Sequence, residues 1–92
     1  MANYFVVLES IVPSQNRAVE SIFESLKTPV QRLLNNTWLV TSPLGRHELY
    51  EIFSPVALPG DRFLIIEAIG CVFDNLLISA DALDATWDAI KR

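Results

Sequence analysis

The chain has 92 residues, 51% of them apolar and 20% charged, which describes one domain with a real core and excludes disorder. Its formal net charge is −4, and Arg17, Lys27, Arg32 and Arg46 are scattered with no basic run, which argues against a phosphate-binding face and against nucleic acid as a partner. The single cysteine, Cys71, excludes an internal disulfide and reads as a small buried residue.

Tyr4–Leu8 is β-branched and aromatic on both alternating faces, the pattern of a buried, central strand. Val12-Pro13-Ser14 makes a turn, and Ser14 is placed to cap a helix. Val19, Ile22, Phe23 and Leu26 then recur at helical spacing along one stripe. Thr28-Pro29 ends that helix, because the residue before proline avoids the helical region. Val30–Leu34 and Thr37–Thr41 flank Asn35-Asn36, which reads as a two-residue hairpin turn or as a bulge in one long strand. Ser42-Pro43 can start a second helix, although Gly45 shifts the expected start toward Arg46. Leu49, Ile52, Phe53 and Val56 supply its apolar face, and Pro55 ends it.

The turn Leu58-Pro59-Gly60 launches Asp61–Ile69, the most continuously apolar run, interrupted only by Glu67. Gly70–Asp74 reads as a loop and Asn75–Ser79 as a short fifth strand. Ser79 can cap a last helix with Asp81 in its first turn, Lys91-Arg92 at its end, and a stripe of Leu83, Trp87 and Ile90. No run spans a membrane, since Glu67 and Asp74 break the longest one. No secretory signal is visible, so a cytoplasmic protein is expected.

Strand, helix, strand, strand, helix, strand is the βαββαβ string of the α+β, ferredoxin-like arrangement with an antiparallel sheet. Residues 70–92 add a C-terminal short strand and helix to a single domain, 1–92. Both faces of the first and last strands are apolar, and one helical layer covers only one face. A second copy of the chain, or the C-terminal helix, must cover the other. Exposing each large apolar side chain costs roughly 1.5–3 kcal/mol, so a homodimer is expected. Tyr4, Val6, Phe63 and Ile65, with Glu67, are the residues expected at the interface.

No Gly-rich phosphate loop, GxSxG, CxxC or HExxH occurs. His47, the only histidine, is expected on the exposed side of the second helix, and no third group completes a Cys71/His47 pair. Glu9 and Asp61 lie at strand ends, where carboxylates can hold Mg²⁺, although a solvated strand end and a turn residue are the plainer readings. Asp81, Asp84 and Asp88 line one helix face, as a solvated surface or as a docking surface for a basic partner.

Tyr4–Ser14, the run Asn36-Thr37-Trp38-Leu39-Val40-Thr41-Ser42, and Gly60-Asp61-Arg62-Phe63-Leu64-Ile65-Ile66-Glu67 together resemble a small ferredoxin-like group. It includes the CRISPR-associated spacer-acquisition endonuclease, the VapD toxins and the SinR-like proteins. The resemblance covers about residues 3–69 and implies a homodimer with an aspartate near the end of the first strand holding a metal. Here that position falls on Ser10, with Glu9 one residue early, and a one-residue slip reverses the sheet face. The expectation is therefore a non-catalytic dimeric interaction or regulatory module that binds another protein and needs no cofactor. One alternative is a divergent Mg²⁺-dependent nuclease using Glu9. The other is an acidic inhibitor or antitoxin acting through Asp81, Asp84 and Asp88.

Overall fold

Strand β1 (Ala2–Glu9) lies inside the sheet, as its two apolar faces require. The structure, a computed structural model, describes residues 2–12, 15–70 and 74–88. Ser14 as a helix cap, Cys71, Ile90, Lys91-Arg92 and the side chain of Asp88 lie outside the described residues. After β1 come α1 (Gln15–Leu26), β2 (Val30–Leu34), β3 (Thr37–Ser42), α2 (Arg46–Phe53), a 3-10 turn (Ser54–Val56), β4 (Arg62–Ala68) and α3 (Ala80–Asp88). Among the described residues the fold is α+β, with four antiparallel strands in the order β2-β3-β1-β4 and three helices.

Local chemistry sets the boundaries. Helix α1 ends at Lys27, whose φ of 54° is left-handed, and Pro29 prevents continuation. Helix α2 begins after Gly45, whose amide donates to the Glu48 carboxylate, rather than at Ser42-Pro43. Ser42 stays in β3, where its hydroxyl accepts from the Leu44 amide. Ser79 caps α3 by accepting from the Ala82 amide.

Asn35 and Asn36 form the hairpin turn, but neither has a positive φ. The turn is held from outside instead. The Asn35 carbonyl accepts from the Asn16 and Arg32 side chains, and the Asn36 carbonyl from the Leu8 amide. The chain reverses at Asn35-Asn36, so the hairpin reading holds and one long strand bulged at the asparagines does not; the bulge that exists is a register shift inside β2, between Arg32 and Leu34.

Helices α1 and α2 cover one sheet face. Tyr4, Val6, Leu8, Trp38 and Val40 are buried there against Val19, Phe23, Leu49 and Phe53. Phe53 touches both Phe23 and Phe63, with ring centroids 5.1 and 5.4 Å apart. Buried Gln15 donates to the Val56 carbonyl, tying the start of α1 to the 3-10 turn.

Helix α3 covers part of the second face. Leu83 is buried on Leu33 and Leu39, with Phe5, Leu76, Ile78 and Trp87 around them. The Thr41 hydroxyl, buried beneath the helix, lies within hydrogen-bond distance of the Asn3 side-chain oxygen and the Thr86 carbonyl. The chain's own C-terminal helix thus takes much of the surface for which a second copy was expected. Residues 75–79 do not form a fifth strand. They give β2 one ladder-like bond, from the Leu77 amide to the Leu33 carbonyl.

Tyr4 shows what burial does to a polar group on the first face. Its hydroxyl donates to the Leu44 carbonyl at 2.7 Å. Burial first, and the Glu67 carboxylate next, push the phenol above its ordinary value of 10.0. A raised folded-state value favours the protonated form, so the associated stability is complete below pH 10 and lost as the pH rises through the folded-state value. Tyr4→Phe is expected to cost about 1 kcal/mol at neutral pH and to flatten the fall in stability above pH 10. Urea unfolding of both proteins across that range checks this, and identical alkaline slopes would remove Tyr4 as the cause.

Candidate functional site

Glu9, Ser10 and Asp61, the strand-end candidates, are each committed to a local partner. The Glu9 carboxylate, exposed at the end of β1, pairs with Arg62 at 3.1 Å, because β1 and β4 place the two residues opposite each other. The Ser10 hydroxyl accepts from the Val12 amide. The Asp61 carboxylate accepts from the Leu58 amide and closes the turn before β4. Among the described residues no three His, Cys, Asp or Glu side chains converge as a metal ion requires. His47 is exposed at the start of α2.

The apolar interaction set divides between two surfaces. Tyr4 and Val6 are buried in the core beneath the helices and cannot meet a partner in this fold. Phe63 and Ile65 share their face and pack against that core. The surface moves to the opposite side of β4, where Leu64 is 54% and Ile66 43% exposed. Among the described residues helix α3 packs on β2 and β3, and Leu64 and Ile66 stay exposed at the β4 end of the second face.

The two sheet edges differ. The β2 edge is bulged and tethered by Leu77. The β4 edge keeps an unbroken register with β1 from Arg62 to Ala68, with no proline, no lysine and no bulge. Among the described residues nothing pairs with its outer side. Natural edge strands are usually blunted by such devices, because unpaired backbone groups recruit another strand. Glu67 points to the helical face and pairs with Arg46 of α2 at 3.9 Å. Both partners are well exposed, so this pair orients side chains more than it stabilises.

Beside this edge an open cleft of about 320 Å³ lies between α2 and β4, lined by Arg46, His47, Tyr50, Phe63 and Ile65 with Leu64. Arg46, Tyr50, Leu64 and Ile66 belong to this surface but not to the interaction set expected from sequence. The signal available was parity: Leu64 and Ile66 alternate with Phe63 and Ile65, so only one pair can lie under the helices.

Asp74, Asp81 and Asp84 are exposed, Asp81 and Asp84 on α3. No helix among the described residues is long and apolar enough to cross a membrane. No protein-family model matches the chain, and no curated protein matches it.

Proposed function

We propose that the chain is a non-catalytic interaction module of ferredoxin-like architecture, which works by pairing with a second copy and by binding another protein. The element order β1-α1-β2-β3-α2-β4 and the sheet order β2-β3-β1-β4 support the ferredoxin-like reading. The observation that carries the functional reading is the β4 edge: seven residues in regular register, exposed apolar side chains, no proline, lysine or bulge, and among the described residues no strand on its outer side. The strand-end carboxylates support it too, since Glu9 is held by Arg62 and Asp61 by its own turn.

The competing reading is a Mg²⁺-dependent nuclease of the CRISPR-associated type centred on Glu9. Incubating the protein and a Glu9→Ala variant with single- and double-stranded DNA and RNA in Mg²⁺ separates the two. Neither protein is expected to cleave. Cleavage by the wild type that disappears in Glu9→Ala would overturn the non-catalytic reading. The substitution itself is expected to change stability by less than about 1 kcal/mol, because the Glu9–Arg62 pair is exposed.

A further inference from the structure

Resting on the interaction-module reading, we propose that the occupant of the β4 edge is β4 of a second copy, paired antiparallel about a two-fold axis at Ile65, so that two four-stranded sheets become one of eight.

A two-fold interface is self-complementary: if one residue faces a second, the second faces the first. Antiparallel pairing of identical strands has this property. Facing residues must also lie on the same side of a continuous sheet, so the axis passes through a residue rather than between two. Strand β4 runs from Arg62 to Ala68, and Ile65 is its midpoint. With the axis there, all seven residues pair. Leu64 of one copy faces Ile66 of the other, Phe63 faces Glu67, and Arg62 faces Ala68.

Neighbouring registers are poorer. An axis at Leu64 sets Asp61 of each copy against Glu67 of the other, two like charges. An axis at Ile66 pushes Arg62 and Phe63 past the end of the facing strand, opposite Gly70 and Ile69. In the Ile65 register the charges stand at the rim. Arg62 is already neutralised by Glu9 and Glu67 by Arg46, each within its own copy. The centre, Phe63–Ile66, is uncharged, and an apolar centre with a polar rim is the usual anatomy of a stable interface.

Both faces of the added strand find a place. On the open face, Leu64 and Ile66 from the two copies form one four-residue apolar patch, and each loses exposed surface. On the helical face, Phe63, Ile65 and Glu67 of the incoming strand project toward the cleft between β4 and Tyr50, which is open along the edge. The incoming backbone would lie about 4.8 Å beyond β4.

Sedimentation or light scattering at tens of micromolar gives the mass. The wild type is expected at twice the chain mass, and Leu64→Lys with Ile66→Lys at the chain mass, with far-UV circular dichroism unchanged. A second measurement does not depend on the lysine variant folding. In a Cys71→Ser background, Leu64→Cys and Ile66→Cys proteins are oxidised separately and mixed. The mixture is expected to form a disulfide-linked dimer, and neither protein alone. A wild-type dimer that survives the lysine substitutions overturns the edge proposal and leaves the interaction module standing. Cross-linking of Leu64→Cys with itself overturns the Ile65 register. A wild-type monomer overturns the proposal and the self-pairing half of the function together.

Discussion

Leu83→Ala is expected to cost about 2–5 kcal/mol, the range for a buried leucine truncated where the surroundings cannot collapse. Leu83 is 1% exposed and seats α3 on Leu33 and Leu39. Trp87, the other large apolar side chain that α3 brings to this contact, is only half-buried. Because the contact lies within one chain, the loss should not depend on protein concentration. Urea unfolding at two concentrations tenfold apart checks this. A loss under about 1 kcal/mol, or one that shrinks on concentration, would mean that α3 is held by something other than its own sheet.

The second large effect is expected at Phe53. Its ring stands edge-on to Phe23 at an interplanar angle of 65° and tilted against Phe63 at 37°, so one side chain joins α1, α2 and β4. Phe53→Ala should cost about 3–5 kcal/mol. That is a large share of the roughly 5–15 kcal/mol that holds a domain together. Phe53→Leu, which keeps most of the volume, should cost much less. Thermal unfolding of both variants checks the ordering. Equal losses would show that the ring contacts contribute little beyond the space they fill.

Much of the fold was legible because the local signals agreed. Val19 and Phe23 recur at helical spacing and are buried; the run beginning at Tyr4 is a central strand; Ser79 caps the last helix. What was not legible depends on contacts between elements. Alternation separates Leu64 and Ile66 from Phe63 and Ile65, but when both sets are apolar it does not say which one the helices take. The partner of Glu67 could not be read either, since Arg46 is far along the chain and α2 carries it to the edge. The choice between α3 and a second copy as cover for the open face turned on where residues 74–79 run, and the apolar Leu76-Leu77-Ile78, which reads as a strand, does not say which edge it follows. One bond, from Leu77 to Leu33, leads the chain along β2 and sets α3 down on its own sheet.

The central position of β1 also bears on how the sheet is assembled. Tyr4 faces Val40 on one side and Glu67 on the other, so both its neighbours come from far along the chain. Only β2 and β3 pair across a short turn. Loop-closure entropy therefore favours the hairpin first, then β1 against β3, with β4 arriving last. Until it arrives the outermost strand is β1, whose free side is shaped to take β4 from any copy of the chain. Two unfinished molecules can trade their last strands, so a swapped dimer competes with edge-to-edge pairing whenever folding is slow or crowded.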